Sequence, residues 1–304
     1  MNRIASLLLV LLLSTSGSAF AASFDSLISF GDSLSDTGSG PPTPPSYGGR
    51  FSNGPVWEEY LAGSLGLAAA QTHDYAIGGA TSGLNGLDGS ATGLLTQTNG
   101  FVAAPISLGS TTLYTVWAGG NDAINAALTG GDPIAAASQA AVNIANAVIQ
   151  LAGTGAQYFL VPNLPNGGLF PITAQLGADP AAANLLTNFF NGQLDAALAP
   201  LASSLGITIY RLDAYAVFQA IVANPAAYGF TDVTAPCKVA GVVCANPDQR
   251  LFWDNVHPTT RAHGFIAAAG FAVVPEPEVA ALAAAALFAL VLTARARRAQ
   301  LSMR

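Results

Sequence analysis

Short apolar runs alternate with longer helical patterns through the body of this chain, and that alternation constrains the fold more than any single residue does. Runs of strand length occur at 27–30, 112–117, 158–161 and 207–212, with a weaker one near 74–77. Between them lie helix start signals. Asp132-Pro133 places an N-cap before a proline at the first helical position and opens a run to about Leu151. Asp179-Pro180 repeats the device and opens a run toward Ala199, and Thr259 or Thr260 caps a last one through Ala269. Strands alternating with helices predict a single three-layer α/β/α domain, with a mostly parallel five-stranded sheet covered on both faces.

Sites in such sheets gather outside the carboxyl ends of the strands, and the order of elements brings four suggestive segments to that rim. Gly31-Asp32-Ser33 ends the first apolar run: strand, tight turn, small polar residue, which presents a serine hydroxyl at the sheet edge. Ala76-Ile77-Gly78-Gly79-Ala80-Thr81 follows the second run and Ala118-Gly119-Gly120-Asn121-Asp122 the third. Asp254-Asn255-Val256-His257-Pro258-Thr259 comes after the fifth, in a loop leading to the last helix.

Ser33 is the candidate nucleophile. A serine hydroxyl is inert at its free pKa and needs a base within ~3 Å. Of the three histidines only His257 has a carboxylate three residues away. Asp254 can accept from one ring nitrogen, leaving the other to take the proton from Ser33. His73 reads as a satisfied or surface imidazole on the second strand, and His263 as a helix-surface residue. Donors for a developing oxyanion are the backbone N–H of Ser33, the Gly78-Gly79 pair, which permits close backbone approach, and the side-chain amide of Asn121. No Gly-x-Ser-x-Gly pentad surrounds any serine, which removes the elbow of the classical α/β-hydrolases.

Both termini read as addresses. Met1-Asn2-Arg3, an apolar run at 7–13 and Ala19-Phe20-Ala21 make a signal peptide over 1–21. At the other end Val274-Pro275-Glu276-Pro277-Glu278 precedes an apolar stretch at 279–292 and then Arg295, Arg297 and Arg298, the pattern of a membrane segment with a basic flank. Without these ends the body, 22–274, carries five basic residues against fifteen acidic ones, a formal charge of −10. Such a surface repels phosphate backbones and argues against nucleic-acid binding. The two cysteines, Cys237 and Cys244, lie in this body. Export predicts a disulfide closing a small loop just ahead of the Asp254–His257 segment. A metal pair is the poorer reading, because no second Cys pair or nearby His completes a zinc set.

Taken together the segments resemble, in order, the conserved blocks of the GDSL, or SGNH, hydrolase family. Phe30-Gly31-Asp32-Ser33-Leu34-Ser35-Asp36-Thr37-Gly38 looks like the nucleophile block, 76–80 the glycine block, Gly119-Gly120-Asn121-Asp122 the asparagine block and 254–259 the acid–base block. Gly49-Arg50-Phe51-Ser52-Asn53-Gly54-Pro55-Val56-Trp57 resembles a stretch of the lipase-like branch. The resemblance implies a flavodoxin-like sheet and a secreted serine esterase or lipase. Ser33, Asp254 and His257 would be catalytic, and Ser33, Gly79 and Asn121 would form the oxyanion hole, with Gly79 preferred to Gly78 on spacing. It implies short- to medium-chain acyl esters of small molecules or lipids as substrates, an acyl-serine intermediate, and neither metal nor organic cofactor. Ser39 stands where that branch has Asn, and the irregular 163–171 stretch leaves the substrate wall unread. An exopolysaccharide O-acetyl deacetylase and a catalytically inactive surface binding protein are the alternatives. The tail from Pro275 resembles the PEP-CTERM sorting signal of Gram-negative bacteria. It implies contact with export and sorting machinery, transient membrane anchoring through 275–304, and delivery to the cell surface or extracellular matrix.

Overall fold

Five runs become the strands β1 (Ser26–Gly31), β2 (Thr72–Asp74), β3 (Thr112–Trp117), β4 (Tyr158–Pro162) and β5 (Thr208–Leu212), ordered β2-β1-β3-β4-β5 with every neighbouring pair parallel. The computed structural model describes residues 24–38, 49–106, 108 and 111–274; the expected signal peptide at 1–21, the Pro-rich 41–45 loop, Ser39 and the expected sorting segment at 275–304 lie outside the described residues.

Side chains alternate across the sheet with the period of two that extended backbone imposes. Ile28, Phe30, Tyr114, Val116, Phe159 and Val161 face one layer of helices. That layer is α2 (Leu94–Ala103), α4 (Pro133–Ala152) and α6 (Pro180–Leu205). Leu27, Leu113, Trp117, Leu160 and Leu212 face the other, made of α1 (Trp57–Ser64), α7 (Ala214–Ala223) and α8 (Thr260–Val273). Two further helices, α3 (Gly120–Thr129) and α5 (Pro171–Gln175), lie above the carboxyl edge of the sheet.

The Asp-Pro signals act as read: Asp132 accepts from the N–H groups of Ile134 at 2.9 Å and Ala135 at 3.3 Å, and Asp179 from Ala181 at 2.9 Å. α6 runs past Pro200 to Leu205 rather than stopping near Ala199. β2 ends at Asp74, earlier than the 74–77 run suggests. The Asp74 carboxylate takes the Ala76 N–H at 2.8 Å and the Thr37 N–H and hydroxyl at 2.7 Å each, which turns the chain out of the sheet. After α7 the chain builds a short parallel pair, β6 (Asp232–Pro236) with β9 (Arg250–Phe252), and a hairpin, β7 (Lys238–Val239) with β8 (Val242–Val243). These strands are too short to have shown a period in the sequence.

One carboxylate is buried in the second layer. Glu58 on α1 is 2% exposed and accepts from the Thr115 hydroxyl on β3. Burial pushes it up to about 8, against the Thr115 bond, which favours the charged form. A raised native pKa contributes stability that is complete below the unfolded value of 4.5 and is lost as pH rises toward 8. Glu58→Gln stays neutral throughout. The melting temperature of wild type is therefore expected to fall relative to that of Glu58→Gln between pH 5 and 8; parallel curves across that range would count against a buried, protonated Glu58.

Candidate active site

Ser33 follows the last residue of β1 in a turn that the neighbours hold rigidly. The Asp32 carbonyl accepts from the N–H groups of Ser35 at 3.0 Å and Asp36 at 3.1 Å. Gln97 on α2 bonds both sides of Gly31, accepting its N–H at 2.9 Å and donating to its carbonyl at 2.8 Å. A Cβ on Gly31 would stand 2.2 Å from the Trp117 carbonyl oxygen of β3, so only glycine fits there. Asp32 itself is buried, and burial pushes its carboxyl up to about 7 despite the Leu34 N–H and the nearby His257.

The chain crosses the whole domain to bring His257 against this turn. His257 Nε2 lies 2.8 Å from Ser33 Oγ, and Nδ1 lies 2.8 and 2.9 Å from the two oxygens of Asp254. All three side chains are buried. Asp254 also accepts from the N–H groups of Val256 at 2.9 Å and His257 at 2.8 Å. Burial alone would raise its pKa; the imidazole and these bonds more than offset that and hold it below the ordinary carboxylate range.

Two segments brace the loop. The 49–57 stretch does so from one side: the Phe51 ring packs 5.0 Å from the His257 ring, Ser52 donates to the Pro258 carbonyl at 3.0 Å, and Asn53 accepts from Thr260 N–H at 2.8 Å. Arg50 locks that stretch onto α1 through both oxygens of Glu59 at 2.8 and 2.7 Å. From the other side, Cys237 and Cys244 are bonded across the β7–β8 hairpin, with Cα atoms 4.9 Å apart. Cys237 N–H donates to Phe252 O at 3.0 Å and Lys238 N–H to Trp253 O at 2.7 Å, immediately before Asp254. Cys237→Ser is expected to lower stability by about 2 kcal/mol, on the order of 5 °C in Tm for a domain of this size. It should also shorten the half-life of activity, measured in parallel with intact mass before and after reduction; an unchanged Tm would mean the bridge does not brace the loop.

The two glycines of the second block both line a cavity beside Ser33, and they differ in their surroundings. Gly78 donates to Asp36 Oδ2 at 2.8 Å. Gly79, at φ +80°, has nothing within 4 Å of where a Cβ would stand, and it lines a cavity with Ser33, Asn121 and His257. Asn121, at the start of α3, donates one amide hydrogen to Ala80 O at 2.9 Å, which leaves the other for that cavity. The loop that follows Gly79 is latched to α3 by Asp122, which accepts from Ser82 N–H at 2.9 Å and Ser82 Oγ at 2.7 Å. Asp36 and Asp122 sit inside the motif blocks, yet nothing in the linear pattern assigns them these tethering roles.

His263 corrects the sequence reading. It is fully buried under the site rather than on the helix surface. Its Nδ1 accepts from Trp57 N–H at 3.2 Å, and burial, reinforced by His257, pushes its pKa down to about 3, so it is neutral. His73 is part-buried on β2 and stands outside the group. Among the described residues no cluster of three or more His, Cys, Asp or Glu is placed to hold a metal ion.

Serine, imidazole and carboxylate in hydrogen-bonded series at the carboxyl edge of a parallel sheet define a class of site, the nucleophilic serine triad. Comparison with known proteins supplies the family: residues 27–269 match the GDSL-like Lipase/Acylhydrolase pattern, and the chain belongs to that family. It is 28% identical to the thermolabile hemolysin of Vibrio parahaemolyticus, over 79% of this chain and 62% of that one. It is 26% identical to the phosphatidylcholine-sterol acyltransferase of Aeromonas hydrophila, over 79% of this chain and 87% of that one. The alignment thus spans under two thirds of the hemolysin, and 38% of a GDSL esterase/lipase of Arabidopsis thaliana. An acetyl xylan esterase from Geobacillus stearothermophilus shares the fold at TM-score 0.50 and 13% identity, over 84% of this chain and 96% of that one.

Proposed function

We propose that the protein is a secreted esterase that hydrolyses carboxylic esters of short- to medium-chain acyl groups through an acyl-serine intermediate. The observation that carries this is the unbroken series from Ser33 Oγ through His257 to Asp254, each link 2.8–2.9 Å. His257 Nε2 takes the hydroxyl proton as Ser33 Oγ bonds to the ester carbon. The oxygen that becomes negative is met by the N–H groups of Ser33, Gly79 and Asn121. Collapse breaks the bond to the alcohol oxygen, which leaves with the proton held on Nε2. Water then repeats the sequence on the acyl-serine and frees the acid. Asp254, held ionised by its bonds, balances the imidazolium at each stage. The alcohol thus leaves with the Ser33 proton, and the proton that restores Ser33 Oγ comes from water by way of His257 Nε2.

Export through 1–21 and surface or matrix delivery through 275–304 complete the reading, and rest on the sequence alone. The name of the phosphatidylcholine-sterol acyltransferase relative favours acyl lipids over sugar acetates. Labelling by a fluorophosphonate probe, mapped by mass spectrometry, tests the core of the proposal: the adduct is expected on Ser33 and absent in Ser33→Ala. An unlabelled, inert wild-type protein would instead support a binding role.

A further inference from the structure

Two cavities meet at Ser33, and they have different characters. One, of about 740 Å³, runs between α3, α5 and α6; its walls include Ala123, Ala126, Leu164, Phe170, Leu186 and Phe190. The other, of about 470 Å³, is walled by Phe51, Gly79, Asp88, Lys238 and His257 among others. Ser33, Asn121, Ile124, Ile172 and Val256 border both.

We infer that the larger cavity is the acyl-chain site, that it favours medium-chain acyl groups over acetyl, and that the alcohol of the ester lies on the opposite, His257 side. This rests on the reading of Ser33 as nucleophile and His257 as its base. The alcohol oxygen must receive its proton from His257 Nε2 as the bond to the acyl carbon breaks, so the alcohol occupies the cavity that His257 lines. His257 borders only the smaller one. With the carbonyl oxygen on Ser33, Gly79 and Asn121 and the alcohol toward His257, the remaining substituent of the carbonyl carbon, the acyl chain, points into the larger cavity.

The walls fit that occupant. Alanines on α3 keep the cleft wide, and its lining is mostly alkyl and aromatic, with Asp32, Asn121, Thr173, Asp179 and Thr187 as the polar residues besides Ser33 itself. At its mouth three apolar side chains stand in solvent: Ile134 at 48% exposure, Leu176 at 36% and Leu185 at 69%. An acetyl group would leave nearly all of this surface wet. Each methylene it does take up is worth up to about fourfold in kcat/KM, equivalent to ~0.8 kcal/mol. The smaller cavity carries Asp88, Lys238, Gln175 and Asn255 and suits a polar alcohol.

Ethyl octanoate and octyl acetate are isomers that place an eight-carbon chain on the acyl side and on the alcohol side of the ester, respectively. Measured below their aggregation limits, ethyl octanoate is expected to show kcat/KM at least about tenfold higher, since only the acyl-side methylenes enter the cleft. Ala123→Leu and Ala183→Leu narrow the cleft from opposite walls. Each should lower the octanoate-to-acetate ratio for p-nitrophenyl esters by about tenfold or more, a ratio taken within one preparation and so independent of how much of the variant folds. Faster turnover of octyl acetate, or a flat chain-length profile in wild type, would overturn the acyl assignment while leaving the serine-esterase reading intact. Failure of both isomers and of p-nitrophenyl acetate to react would remove that reading and the inference with it.

Discussion

Ser33→Ala is expected to lower kcat on p-nitrophenyl butyrate by about 10³-fold or more, the loss seen when a triad member is deleted elsewhere. The substitution removes the hydroxyl 2.8 Å from His257 Nε2 and nothing else of consequence. The turn is held by the Asp32 carbonyl and by Gln97 on Gly31, so its backbone has no reason to move. The proposed oxyanion donors Gly79 and Asn121 remain, and a residual rate above water is expected. Single-turnover and steady-state rates on the purified variant check this, with its Tm as the control for folding. Activity close to wild type would mean that the Ser33–His257–Asp254 series is a structural motif only.

Asn121→Ala is expected to lower kcat by about 10²-fold with little change in KM, because a donor aimed at the oxyanion acts on the transition state more than on bound ester. The residue has a second role, since one amide hydrogen holds the Ala80 carbonyl at 2.9 Å, and its loss loosens the loop that carries Gly79. Tm reports the loop and the split between kcat and KM reports the oxyanion, which separates the two; Asn121→Asp, whose carboxylate can donate neither to the oxyanion nor to the Ala80 carbonyl, is a second probe. It keeps the shape but offers a carboxylate where the negative oxygen forms, so it should be at least as inactive as the alanine variant. An effect confined to KM would assign Asn121 to substrate binding, and an active aspartate variant would remove it from the oxyanion role.

The four rim segments are neighbours because parallel strands all deliver their carboxyl ends to one edge, and that much follows from strand order. What the linear pattern could not supply is which neighbour each group uses. Gly78 and Gly79 are indistinguishable as letters, and the Asp36 carboxylate that takes the Gly78 N–H at 2.8 Å is a partner that only folding brings. His263 has the spacing of an exposed helical position, yet α8 turns it under α1, where Trp57 N–H meets it. The 163–171 stretch carries no period because side chains hold it. Asn191 of α6 bonds both the N–H and the carbonyl of Leu164 at 2.9 Å, and Thr173 bonds Gly167 O at 2.6 Å.

By itself the sequence determined the sheet, its helical cover, and the chemical groups assembled at its edge. Apolar period, Asp-Pro caps and glycine-ended strands are local signals, and each residue carries its own part of them. The tertiary structure alone decided the shape of the space around Ser33. The larger cleft has walls from α3, α5 and α6, brought together by burial of faces remote from the cleft itself. Its width depends on the distance between helices, which no stretch of chain specifies alone. The side of the serine on which His257 arrives is likewise decided by the bracing of its loop against the 49–57 stretch and the β7–β8 hairpin, contacts between segments far apart in the chain.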